Sequence, residues 1–246
     1  MATKWLQRTE LLIGEEQVDK LKTKHVLVVG LGGVGSFAAE LICRSGVGKM
    51  TIIDGDVVDI TNCNRQLPAL STNVGESKAE IMEERLRSIN PELELTVIKQ
   101  FMTPELMEEL MKNEYDYAVD CIDSLTPKLT MIVGAMKKGI PLVSSMGAGG
   151  KMDPTRVFVK DISKTYACKL AFTVRKRLRK LGVRKGFEAV FSTELPLHDS
   201  LMLTDGSNYK RSAYGTISYL PAVFGCTVAS VVIRRLIDWK ELPSAH

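Results

Sequence analysis

A chain of 246 residues, 45% hydrophobic and 25% charged, carries enough apolar material for one full-size core and is not composed like a disordered or fibrous protein. Its five cysteines (Cys43, Cys63, Cys121, Cys168, Cys226) include no CxxC pair, which excludes a recognisable zinc site, and their odd number argues against a disulfide framework. The formal net charge of +4 is small but uneven: between Lys160 and Glu188 stand ten basic residues against two acidic ones, so the positive charge is a local patch on an otherwise slightly acidic chain. The first ten residues lack the apolar segment and small-residue cleavage site of a signal peptide, and a cytoplasmic location is expected.

In chain order, residues 4–22 read as a helical prelude, with Leu6, Leu11, Leu12, Val18 and Leu21 spaced between polar residues. The apolar run that follows predicts a buried strand over 25–30. Gly30, Gly32, Gly33 and Gly35 then carry the backbone into a helix that starts near Val34 and is stopped by Gly46 and Gly48. A second strand is expected over 49–54, a long polar connection over 55–73, and a helix over 74–88 with Lys78 near its start. Residues 93–98 alternate like a strand, Pro104 opens a helix, 117–122 and 141–144 read as strands, and 127–138 as the helix between them. This alternation calls for an α/β fold with a Rossmann-like doubly wound sheet. Beyond residue 150 the pattern breaks into a C-terminal extension of mixed strands and helices. Strands are expected over 155–160 and 187–191, a helix with the stripe Leu170, Val174, Leu178 and Leu181, a polar loop over 193–216, and a last apolar helix over 219–239. That helix approaches membrane length, but Pro221 and Gly225 favour a buried helix over a span.

The glycine turn alone fits any nucleotide, because peptide N–H groups at a helix start can face a phosphate without side chains in the way. Asp54 at the end of the second strand can accept from ribose hydroxyls. A second acid, Asp56, the cations Arg65 and Lys78, and the strand-end acids Asp120 and Asp123 suit a triphosphate with a divalent cation better than hydride transfer. No residue is an evident hydride-transfer partner. An NAD-dependent oxidoreductase is therefore the weaker reading of the same turn.

Together, the Gly30-x-Gly-Gly-x-Gly35 turn, Asp54, the Asn64-Arg65-Gln66 triplet, Lys78 and Asp120-Cys-Ile-Asp123 resemble the adenylation core of the ubiquitin-activating-like superfamily over roughly residues 7–150. The resemblance implies ATP and Mg2+ as cofactors. Asp54 would hold the ribose and Arg65 and Lys78 the phosphates, Asn64 and Gln66 would line the same pocket, and Asp123 would coordinate magnesium. Arg65 reaching across a subunit boundary implies a homodimer. Two departures from the sulfur-carrier branch are visible: the CxxC pairs are absent and the usual Asp-Asn ending is Asp123-Ser124.

The second half, with Ser144-Ser-Met-Gly-Ala-Gly-Gly150, Asp153-Pro154, Val190-Phe-Ser-Thr-Glu194 and Gly215-Thr-Ile-Ser-Tyr-Leu-Pro-Ala222, is similar to the tRNA threonylcarbamoyladenosine dehydratase branch over nearly the full length. That resemblance implies ATP-dependent cyclisation of N6-threonylcarbamoyladenosine at position 37 of tRNA, with AMP and pyrophosphate released. It further implies a division into residues 1–150 as the ATP-binding core and 151–246 as a tRNA-substrate and dimerisation extension continuous with it. A monovalent cation (Na+ or K+) held by carbonyls and a sulfur-transfer protein partner are compatible with the family.

The basic run Arg175, Lys176, Arg177, Arg179, Lys180, Arg184 and Lys185 independently suits a tRNA partner, although a solvated helix face would look the same. Tyr166 and Phe187 are candidates to stack on a base or, equally, core residues. An enzyme acting on a ubiquitin-like or sulfur-carrier protein C-terminus is the alternative. It would need a thiol such as Cys168, which intramolecular cyclisation does not. His198 is a weak acid–base candidate, and a tRNA-binding scaffold with a vestigial nucleotide fold is the non-enzymatic alternative.

Overall fold

The computed structural model describes residues 4–203 and 212–239. The prelude forms two short helices, α1 (Gln7–Ile13) and α2 (Glu15–Lys22), hinged at Gly14. Next come β1 (His25–Val29), α3 (Gly35–Arg44), β2 (Lys49–Ile53), α4 (Lys78–Ile89), β3 (Glu94–Ile98), α5 (Pro104–Leu110), β4 (Tyr117–Asp120), α6 (Leu125–Lys138) and β5 (Leu142–Ser145). The second half adds β6 (Val157–Asp161), α7 (Lys169–Lys180), β7 (Glu188–Ser192), the short pair β8 (Leu201–Leu203) and β9 (Ser212–Tyr214), and α8 (Tyr219–Leu236).

Seven strands make one sheet in the order β3-β2-β1-β4-β5-β7-β6, all parallel except β6, which runs antiparallel to β7. Successive residues of each buried strand feed opposite layers, as a period of two requires. Val26, Val28, Met50 and Ile52 join a core with α3, α4 and α8, whereas Leu27, Val29, Ile53 and Ala118 join one with α5, α6 and α7. The strand order reverses between β1 and β4, and ligands of such sheets bind in the crevice at that switch point.

Several expectations shift on contact with the fold. β6 and β7 extend the same sheet, but β6 turns antiparallel, a choice set by its connection that strand propensity does not reveal. The stripe of α7 is Ala171, Val174 and Leu178; Leu181 lies past the helix end and is exposed. Phe187 is buried core, and Tyr166 is exposed. Part of the polar loop expected over 193–216 is ordered, since β8 and β9 pair as an antiparallel hairpin. Residues 204–211 of that loop, and the side chain of His198, lie outside the described residues.

α8 is the one described helix long and apolar enough to cross a membrane, and half of that span is buried inside the fold. Leu220, Phe224, Val228 and Val232 are fully covered, and a Cβ on Gly225 would meet the Val34 carbonyl oxygen at 2.6 Å. This helix is therefore the closest-packed neighbour of α3 in the core.

The glycine turn is shaped by two steric demands. Gly30 sits at φ +89°, where an L side chain is strained. At Gly35 an added Cβ would fall 1.7 Å from the Gly30 carbonyl oxygen. Gly35→Ala is expected to cost about 3 kcal/mol or more in urea unfolding, the upper range for overpacking, and a loss under about 0.5 kcal/mol would contradict this geometry.

Candidate active site

A cavity of about 900 Å3 opens at the switch point. Of the residues singled out from sequence, Gly30, Gly32, Gly33, Asp54, Asp56, Arg65, Gln66, Lys78 and Asp123 line it. Gly35 and Asn64 do not. Gly35 packs α3 onto the end of β1, and Asn64 braces the wall, donating from Nδ2 to the Thr216 carbonyl at 2.9 Å and accepting from Arg65 Nη1 at 2.8 Å.

Asp54 is delivered by β2 to the floor. Its carboxylate accepts the Leu31 N–H at 2.5 Å and the Asp56 N–H at 2.7 Å, tying the glycine turn to the end of β2. Burial pushes this carboxyl above the usual carboxylate range, and the two backbone donors and Lys78 oppose that rise.

The connection after β2 is folded by local polar contacts. Asp59 caps a 3-10 turn, accepting from Thr61 N, while Asn62 Oδ1 accepts from Asp59 N; this reciprocal cap presents Arg65 and Gln66 to the cavity. The Arg65 guanidinium is turned back onto its own turn, donating to the Thr61 carbonyl and to Asn64. Gln66 Oε1 is buried with no hydrogen-bond partner among the described residues, an orphan acceptor beside Gly32 that suits a ligand donor. Lys78 opens α4 behind the N-cap Ser77, is almost wholly buried, and places Nζ 3.2 Å from Asp56 Oδ2.

The strand-end acids separate into two roles. Asp123 is exposed at the entrance to α6 and faces the cavity. Asp120, one turn back, is fully buried: it accepts from Lys128 Nζ at 2.6 Å, from Ser144 Oγ, and from the Ile122 N–H at 3.1 Å. Lys128 was missed from sequence, where a lysine on α6 looks like a solvated residue; it is fully buried and also lies 3.3 Å from Ser144 Oγ. This network fixes the β4–α6 turn that carries Asp123. Lys151 and Cys168 were likewise not placed in the cavity by sequence reasoning, and both line it. Among the described residues no group of three or more His, Cys, Asp or Glu could hold a metal.

The basic run extends from this site. Lys176, Arg177, Arg179 and Lys180 are exposed on α7, and Arg184 and Lys185 follow it, while Arg175 is half-buried and donates to Thr165 Oγ1. The α7 start contributes Cys168, Lys169, Leu170 and Thr173 to the cavity, so patch and cavity share one element.

A glycine turn, a floor carboxylate, two wall cations and a cavity-facing strand-end acid at the switch point define a nucleotide-binding enzyme of the carboxylate-activating class. The chain belongs to the ThiF family, which it matches over residues 6–246, and within it to the tRNA threonylcarbamoyladenosine dehydratases. It is 47% identical over 242 residues to the tRNA threonylcarbamoyladenosine dehydratase of Bacillus subtilis, covering 96% of this chain and 95% of that protein. It is 41% identical over 253 residues to the Escherichia coli enzyme of the same name, covering 95% and 94%. A crystal structure of the E. coli enzyme in complex with ATP superposes with a TM-score of 0.86 at 40% identity, covering 96% of each chain.

Lys128→Met would strand the Asp120 carboxylate without its counter-charge. A loss of about 3–5 kcal/mol in denaturant unfolding is expected, and wild-type stability would contradict the assigned network.

Proposed function

We propose that the protein uses ATP to dehydrate and cyclise N6-threonylcarbamoyladenosine at position 37 of tRNA, releasing AMP and pyrophosphate. The observation that carries this reading is the full-length likeness to a dehydratase crystallised with ATP, in a chain whose own cavity has the groups that ATP requires.

The chemistry has two displacements. A threonine carboxylate oxygen attacks the α-phosphorus, and pyrophosphate leaves with the electrons of the broken P–O bond. A carbamoyl nitrogen then attacks the activated carbonyl carbon, its proton passes to a base or solvent, and AMP leaves as the ring closes. The net change is loss of one water. Both steps require anions to be held together and leaving charge to be neutralised.

The side chains divide that work. The backbone N–H groups at 32–34 and the α3 start face the phosphates, Asp54 accepts from the ribose, and Gln66 Oε1 gains the donor it lacks. Lys78 moves its charge from Asp56 to the triphosphate, and Arg65 does so by releasing the Thr61 carbonyl. Magnesium fits the donor set, because it commonly takes one or two carboxylates and completes its shell with phosphate oxygens and water. Asp123 would hold it, with Asp56 nearby, and it would neutralise charge on the phosphates. Residues 151–246 supply the tRNA side through α7, continuous with the core of residues 1–150. A homodimer is part of the proposal: the 55–77 connection exposes Val57, Ile60, Leu70 and Val74, a set of apolar side chains suited to burial against a second copy. A monovalent cation and a sulfur-transfer partner are not needed for these steps.

Pyrophosphate release from ATP should be stimulated by tRNA bearing the threonylcarbamoyl group and not by unmodified tRNA; release driven instead by a small carrier protein would contradict the proposal. Asp123→Ala should lower that release at least roughly a hundredfold, as for other losses of charge-stabilising groups, with tRNA binding retained in a filter assay. Reversing Lys176, Arg177, Arg179 and Lys180 to glutamate should weaken tRNA binding and flatten its salt dependence, leaving ATP binding unchanged. Unaltered tRNA affinity would return α7 to the role of a solvated face.

A further inference from the structure

The cavity has cations in two places. Arg65 and Lys78 stand at the glycine turn, where the phosphates belong. Two strands along the sheet edge from the glycine turn, after β5, the cavity is walled by the 146–149 loop with Cys168 and Leu170, and Lys151 lines it there. Lys151 is only 4% exposed, and its Nζ makes one hydrogen bond among the described residues, to the Gly147 carbonyl at 2.8 Å. An ammonium has three N–H donors, and a single carbonyl does not offset the cost of burying its charge.

Glu194, the acid whose charge acts on Lys151, is already engaged. The Glu194 carboxylate accepts the N–H groups of Met152 at 3.0 Å and Asp153 at 2.8 Å, which fixes the backbone just after Lys151. From the other side, the Gly150 N–H donates to the Gly215 carbonyl at 2.8 Å, and the Leu197 N–H donates to the Gly150 carbonyl at 2.7 Å. The loop is thus held by two segments, residues 194–197 and Gly215, with a cation projected into space large enough for a ligand. Such an arrangement, with donors left open on a fixed support, is built for an anion.

We propose that Lys151 anchors the substrate carboxylate, its ammonium receiving a carboxylate oxygen on the β5 side of the cavity and so aiming the other oxygen at the α-phosphate. This rests on the proposed activity and refines it. Adenylation brings one anion onto another, and with Arg65 and Lys78 committed to the phosphates, the incoming carboxylate needs a cation of its own. Lys151 forms no bond and transfers no proton in this role.

The groups facing Lys151 set its titration. Burial lowers its pKa below the ordinary lysine range, while Cys168, at the α7 start, and Glu194, after β7, pull it partly back; Lys169 also lines the cavity. The ammonium exists below that lowered pKa, so anchoring should fail as pH rises through it.

The test compares wild type with Lys151→Met, which keeps the size and removes the charge, and with Lys151→Arg, which keeps the charge. Steady-state rates are measured with tRNA bearing the threonylcarbamoyl group at saturating ATP, alongside ATP binding. Lys151→Met should raise KM for the modified tRNA and lower kcat/KM by roughly ten- to a hundredfold, the scale of a charge-assisted hydrogen bond, with the ATP Kd within about twofold of wild type. Wild type should lose kcat/KM at alkaline pH. Lys151→Arg should recover most of the activity lost in the Met variant and lack that alkaline loss, since a guanidinium stays charged. Cys168 is present in both proteins and cannot account for the difference. Unchanged kcat/KM in Lys151→Met, or an equal loss in ATP binding, would overturn the anchor. Should the Met variant fail to fold, the Arg variant decides: an alkaline loss identical to wild type overturns the anchor. Wild-type protein inactive on the modified tRNA but folded and binding ATP would overturn the activity itself, and the anchor with it.

Discussion

The site depends on one carboxylate at the crossing of two loops. Asp54 accepts the Leu31 N–H and the Asp56 N–H, so the turn after β1 and the chain leaving β2 are held by the same side chain. It adds to the bond from the Gly30 N–H to the Ile53 carbonyl at 2.8 Å in fixing the glycine-rich backbone against the strand beside it. Keeping a carboxylate there carries a cost, and burial raises the pKa of Asp54. The group nevertheless lines the cavity, where the proposed function has it accept from a ribose.

Around this point the structure separates buried charges from cavity-facing ones. The Asp120–Lys128–Ser144 network is sealed inside the sheet and fixes the β4–α6 turn, while Asp123, three residues on, faces the cavity. In the same way Asn64 is committed to the Thr216 carbonyl, and the neighbouring Gln66 keeps an orphan acceptor at the wall. Lys78 and Arg65 are engaged with Asp56, Thr61 and Asn64, contacts that under the proposed function a triphosphate replaces. A site built so needs little backbone rearrangement to bind its nucleotide, in keeping with preorganised electrostatic catalysis.

Much of this was legible in the sequence because parallel strands buried on both faces are continuous apolar runs. Residues 26–29 and 50–53 announce themselves, and the glycines, Asp54 and Asp123 follow at the strand ends where α/β sites form, with Lys78 at a helix start beyond. Other features required the third dimension. Lys128 and Lys151 look like surface residues in a list of amino acids, and only the packing of α6 and of the 146–151 loop puts them inside. Gly35 and Asn64 read as ligand contacts but act as braces, since a periodic pattern cannot tell a residue lining a wall from one supporting it. The antiparallel turn of β6, the β8–β9 pair and the offset stripe on α7 depend on connections with no local signature.

The central claim is that one ATP is split to AMP for each nucleoside cyclised. Incubating the protein with tRNA that carries N6-threonylcarbamoyladenosine, digesting it, and weighing the nucleoside against the AMP formed tests that most directly. The account predicts a product lighter by one water, in one-to-one ratio with AMP. Production of ADP, or AMP with an unaltered nucleoside, would contradict it.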